Sequence, residues 1–278
     1  MRKTIVVGAL SCALAVGASA HVENAMQSQF DSAKQSEPDF RLLVLKDRVV
    51  RWQVSDRGLP VRVSYAFLTK RATFAGARNC AKMTSPALAL RPSRIADQDF
   101  RREVREAFAL WADAANIEFV ETRDLRTAGI LIGAEAVSRG RAFTNVTDRG
   151  GTARVGNIQQ SLICLNPSER WKIGFDGNLD VYDLRYTLAH EIGHAIGLDH
   201  PGAEGQLMSY RYVEKGRVLR PGDVAGVIAL YGPRRSPAVI TALADRVLPR
   251  HWAGPRSARS SRDFGIGDVE PSRKDIAR

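Results

Sequence analysis

The chain's 278 residues, 44% apolar and 26% charged, suit one ordinary globular core with tails. A formal charge of +11 raises a nucleic-acid reading, but the excess is not gathered into a stacking or groove-reading motif. About half of it falls in the last 45 residues, where ten Arg or Lys face five Asp or Glu, so nucleic acid is set aside in favour of a solvated basic surface drawn to anionic envelope components.

Arg2 and Lys3 precede a largely apolar run from Ile5 to Val16, and Ala18-Ser19-Ala20 offers a small-x-small cleavage site. Residues 1–20 therefore read as a cleavable signal peptide that sends the product to the periplasm or outside the cell. The run is shorter than the ~20 apolar residues of a membrane span, and no later stretch is a better candidate, so no transmembrane segment is expected in the mature chain. Residues 21–47 read as a short leader or pro-region, polar at its start. Extended runs follow at 42–45, 49–54 and 61–68, the last with Val61, Val63, Tyr65 and Phe67 in alternation. From 97 to 116, Phe100, Val104, Phe108, Trp111 and Ala115 recur at helical spacing and predict an amphipathic helix. Short strands are predicted at 117–121 and 129–134, a further one at 141–146, a loop over 147–156, and a strand at 161–165. A second helix is predicted over 181–197, closed by Gly197, and a third over 224–231, capped by Asp223. Beyond Pro233 the Arg, Ser, Pro and Gly content predicts a basic, mobile tail over 234–278.

Loss of the signal takes Cys12 with it and leaves Cys80 and Cys164, which an oxidising compartment would join; two free buried thiols are the alternative. The loop closed would hold roughly 85 residues, worth roughly 4 to 5 kcal/mol in the chain-entropy model.

Residues 190–200 read HEIGHAIGLDH. His190 and His194, about one helical turn apart, project from one face and can share a metal. Glu191 lies beside them, placed to take a proton from a water whose pKa zinc lowers from ~15.7 to about 7. Gly197 lets the chain reverse so that His200 approaches as a third ligand, leaving a fourth position open. A bare H-E-x-x-H is a weak signal, but Gly197, His200 and Met208 complete a much longer pattern, and three of the chain's five histidines lie within it.

At these residues the sequence resembles the metzincin zinc endopeptidases and, within them, the matrixins. Met208 follows His200 at the short matrixin interval; Ala128-Gly129-Ile130-Leu131-Ile132 and residues 223–232 are similar to the matrixin rim strand and closing helix. The resemblance covers about residues 48–233. It implies an α+β fold with a twisted, mixed five-stranded sheet, three helices and a cleft, and a monomer acting on proteins or peptides through one catalytic Zn²⁺. It also implies that Met208 forms a floor beneath the zinc and that Tyr186 sets a medium or shallow specificity pocket, taking a modest hydrophobic side chain. Residues 211–219 would form its outer wall, with Arg211, Lys215 and Arg217 adding positive charge. Pro201 and Tyr210 look more like the serralysin branch, where a tyrosine stabilises the oxyanion; a structural tyrosine is the other reading of Tyr210.

The family's second, structural zinc cannot be built, because only His21 and His251 remain, and the family's histidine before its calcium loop is here Cys164. A Cys80–Cys164 bridge would brace that rim instead. Asn166 and Glu169 keep part of a Ca²⁺ site, with Asp176 and Asp180 nearby; solvated loop acids are the competing reading. The rival to an active enzyme is a catalytically silent zinc-holding envelope protein that binds through its basic tail, against which the presence of Glu191 argues.

Overall fold

The computed structural model describes residues 39–135, 140–150 and 154–235; the predicted signal peptide, the leader up to residue 38 and the tail beyond Arg235 lie outside the described residues. Strands are β1 (Val44–Leu45), β2 (Arg48–Arg51), β3 (Val61–Phe67), β4 (Ile117–Glu121), β5 (Ile130–Ala134), β6 (Ala142–Asp148) and β7 (Val155–Leu165). Helices are α1 (Ala87–Leu90), α2 (Asp97–Ala114), α3 (Leu184–Ala195) and α4 (Pro221–Tyr231).

Among the described residues the sheet has seven strands in the order β1-β2-β7-β5-β3-β4, with β6 on the other edge of β7. The pairs β2/β7, β7/β5, β5/β3 and β3/β4 are parallel, while β1/β2 and β6/β7 are antiparallel. The expected five strands are the set β4, β3, β5, β7 and β6. Two more join because β7, at 11 residues, starts before β5 does. Val155, Gly156 and Asn157 would otherwise present unpaired backbone, and Val49, Val50 and Arg51 of the β1–β2 hairpin satisfy it. For the same reason the predicted loop over 147–156 is shorter: β6 runs on to Asp148 and β7 starts at Val155. To the three predicted helices the structure adds the four-residue α1.

One face of the sheet carries the main core. Here α2 buries Phe100, Val104, Ala107, Phe108 and Trp111. Tyr65 of β3 stacks on Phe108 with centroids 4.3 Å apart, and Phe67 meets Phe100 edge-on at 5.7 Å. Trp111 donates its indole N–H to Ala189 O at 2.9 Å, which locks α2 to α3. The opposite face has a smaller core, in which Ala66, Leu68, Leu131, Leu162 and Cys164 are covered by the segment between β3 and α1 through Phe74, Ala77, Cys80 and Met83. The predicted disulfide is present, with Cys80 joined to Cys164 and their Cα atoms 5.8 Å apart. It ties that covering segment to β7.

Chain assigned by sequence to the leader also belongs to the fold. Arg41 and Leu42 pair antiparallel with Asp199 and Leu198, and Leu43 N donates to Gly197 O at 2.8 Å. The folded body thus begins before residue 48, because the turn leading to His200 offers a backbone edge that residues 41–43 complete.

Candidate metal centre

Helix α3 begins where Asp183, fully buried, accepts the Tyr186 N–H at 2.8 Å as N-cap. It ends two residues before Gly197, whose φ of +106° only glycine adopts readily. A Cβ there would lie 2.2 Å from Val50 O, so chain reversal and close approach both require glycine. Other elements satisfy the orphan carbonyls at this helix end. Ser161 Oγ and Trp52 Nε1 donate to Ala195 O at 3.0 and 3.1 Å, and the Tyr231 hydroxyl donates to Ile196 O.

The reversal brings His190, His194 and His200 together, the one such group of potential metal ligands among the described residues. Nε2 of His200 lies 3.0 Å from that of His190 and 3.2 Å from that of His194. Four-coordinate zinc with bonds of ~2.0–2.1 Å would set ligand nitrogens about 3.3 Å apart, close to these separations. The tautomers suit a cation: Nδ1 of His190 donates to Leu207 O at 2.9 Å and Nδ1 of His194 to Leu198 O at 2.8 Å, leaving both Nε2 lone pairs bare. Burial, and for His190 and His200 also the charge of neighbouring histidine, drives all three pKa values down, His200 to about 4. Neutral imidazole is the form that binds metal. The residues present therefore fit a zinc ion.

Met208 is buried and packs against the helix at Gly193, where an added Cβ would come within 2.2 Å of its Sδ and 2.9 Å of Trp111. Asp223, predicted as the cap of the last helix, instead stands three residues after the N-cap Arg220. Its carboxylate accepts from the N–H groups of Arg220, Leu207 and Met208 at 2.8, 2.8 and 3.0 Å, so one side chain starts α4 and holds the methionine turn. That turn carries the carbonyl that orients His190.

Glu191 is buried on the same helix. Burial pushes its carboxyl up to about 7, against the hydrogen bond from Thr144 and the charge of Arg141. The Thr144 hydroxyl, on β6, lies 2.7 Å from Glu191 Oε2 and 2.9 Å from Glu191 O, sharing its one proton between them. His190, His194, His200, Glu191, Thr144, Arg141, Tyr186 and Tyr210 line one cavity of about 1000 Å³, along with the first residues of β6. Tyr210 is 78% exposed, its ring edge-on to His200 at 5.2 Å. Tyr186 is buried between Phe175 and Tyr212. Of the basic wall expected over 211–219, Arg217 is consumed elsewhere: it donates to Glu103 and Asp183 at 2.5 and 3.0 Å.

Two of the residues near the expected calcium loop already have partners. Asn166 accepts from Ser168 N and donates to Gly140 O, while Asp176 pairs with Lys172. Sequence reasoning did not find Thr144, Arg141 or the role of Gly193; nothing in the order of residues shows that β6 passes over α3.

Fold and site together define a metal-binding domain of the metzincin class. More narrowly, the chain belongs to the matrixin family, whose profile matches residues 82–232, more than half of it. It is 33% identical over 144 residues to metalloendoproteinase 1-MMP of Arabidopsis thaliana, covering 50% of this chain and 40% of that protein. It is 29% identical over 188 residues to metalloendoproteinase 4-MMP of the same plant, covering 66% and 48%. Against karilysin of Tannerella forsythia it is 28% identical over 146 residues, covering 50% and 30%. The chain thus spans less than half the length of each of these relatives. No helix among the described residues is long and apolar enough to cross a membrane.

Proposed function

We propose that this protein is an exported zinc endopeptidase in which His190, His194 and His200 hold the metal and Glu191 is the general base. The observation that carries this reading is the convergence of three imidazoles, two of them with Nε2 left bare, with a buried carboxylate from the helix of His190 and His194 in one open cleft. When bound, zinc supplies a Lewis acid that polarises the scissile carbonyl and activates water. Glu191, near 7, can take a proton from that water and return it to the leaving amine, and the Thr144 hydroxyl fixes which carboxylate oxygen is engaged. Strand β6 lines the cleft and pairs, among the described residues, only with β7. An extended substrate can therefore add to its open edge through main-chain hydrogen bonds. Tyr210, exposed beside His200, is the candidate donor to the developing oxyanion, and Tyr186 lines the specificity pocket. Export accords with the disulfide and with the apolar run after Arg2 and Lys3.

The test is cleavage of a peptide library by the zinc-loaded protein, by the same protein with chelator, and by Glu191→Gln. Cleavage in the first sample alone supports the reading, and the same pattern in all three would end it. Tyr210→Phe, folded and with unchanged kcat, would remove the oxyanion assignment alone.

A further inference from the structure

The cleft holds a cation, Arg141, that the proposed chemistry leaves unused. Arg141 stands immediately before β6, its backbone fixed by the Asn166 N–H donating to Arg141 O at 2.9 Å. Its guanidinium carbon lies 5.0 Å from the ring centre of Tyr182 and 5.4 Å from that of Tyr212, and one terminal nitrogen donates to Tyr210 O at 3.2 Å. A guanidinium has five N–H donors, and among the described residues that single carbonyl is the acceptor Arg141 reaches. No carboxylate among the described residues pairs with it, whereas Arg217, expected in the pocket's outer wall, is taken up by Glu103 and Asp183. The side chain is thus stacked and oriented, yet most of its donors remain available beside His190 and Glu191 in the same cavity.

An aliphatic ligand would cover guanidinium donors without replacing the water it displaces, whereas a carboxylate matches the planar fork of an arginine in two parallel hydrogen bonds.

We propose that Arg141 is a specificity-determining residue that selects an acidic side chain, Glu or Asp, on a substrate residue flanking the scissile bond. This rests on the endopeptidase reading. The step is recognition alone: the carboxylate stays ionised and no bond to it forms or breaks.

The experiment uses the zinc-loaded full chain and pairs of peptide hydroxamates, amidated at the C-terminus so that the side chain carries the only carboxylate. Members of a pair differ only by Glu or Gln at one of the two residues nearest the zinc-binding group. Calorimetry should give a Kd about tenfold or more lower for one Glu peptide than for its Gln partner, the worth of a hydrogen bond to a charged group. The ratio should fall to near one in Arg141→Gln and be partly kept in Arg141→Lys, which has the charge without the fork. A ratio taken within one preparation is unaffected by a misfolded fraction. Equal affinities in the unaltered protein, or a ratio that survives Arg141→Gln, would overturn the assignment. The matched cleavable peptides separate the two readings. Arg141-dependent binding with no cleavage would sink the endopeptidase reading alone; cleavage with indifference to Glu or Gln would sink only the role of Arg141.

Discussion

Gly197→Ala adds only a methyl group, yet it should disturb both the fold and the histidine cluster. In the observed backbone the new Cβ would lie 2.2 Å from Val50 O, about 1 Å inside ordinary contact, and φ is +106°. Holding a residue with a Cβ in the left-handed half of the map costs about 1–2 kcal/mol. Relieving the clash by moving the turn also breaks the hydrogen bond from Leu43 N to Gly197 O and strains that from Tyr231 to Ile196 O, each worth about 0.5–1.5 kcal/mol. Together the loss is about 3 kcal/mol, which in a domain of this size lowers Tm by roughly 6–12 °C. Because the same turn carries His200 toward the other two histidines, zinc affinity should fall with stability. Calorimetric unfolding with chelator measures the first quantity, and competition against a chromophoric chelator measures the second. A variant that melts within ~2 °C of the parent and binds zinc equally well would refute this account of how the third histidine is placed.

Gly193→Ala should destabilise by about 1–3 kcal/mol despite better helix propensity, since the methyl meets Met208 Sδ and Trp111. Met208→Ala combined with it should cost at least about 1 kcal/mol less than the sum of the two single changes, as a double-mutant cycle in denaturant would show. Glu103 is buried against Arg185 and Arg217. Burial alone would raise its pKa, but the hydrogen bond from Arg185 and the charges of Arg185, Arg217 and Arg102 hold it below the ordinary value. Its stabilisation is therefore complete above the unfolded pKa of ~4.3 and lost as pH falls through the depressed folded value. Glu103→Gln should cost about 3 kcal/mol near neutral pH and flatten the acid side of the stability profile, measured by urea unfolding across pH. Reduction of Cys80–Cys164 should lower unfolding free energy by up to about 4 kcal/mol; an unchanged denaturation midpoint would argue against the chain-entropy account.

The three-histidine group was legible because its spacing on a helix is itself geometric: four residues is one turn, and Gly197 marks where the turn ends. The long amphipathic helix and the alternating strand at Val61 were legible for the same reason, since period reveals which face is buried. What the order of residues could not show is anything made by distant segments meeting. Thr144 reads as an unremarkable strand residue until β6 is laid over α3, and Arg141 reads as one more basic residue among 41 Lys and Arg. Asp223 marks the start of the last helix in sequence, yet it stands at the third helical position and not at the cap, and its grip on the backbone of Leu207 and Met208 needs the tertiary fold. The charge expected on the outer wall failed at Arg217 because a buried Glu103, 114 positions away, competes for it.

The pairing of Arg41 and Leu42 with Asp199 and Leu198 makes the seating of the early chain and the seating of His200 parts of one equilibrium. Linkage is reciprocal: whatever free energy zinc contributes by fixing His200 is partly returned as protection of residues 41–43 from detachment. Metal loading should therefore be readable far upstream, as slower amide exchange at Leu43, and a protease that clips the chain near Phe40 would act as a negative effector of zinc binding without touching the site.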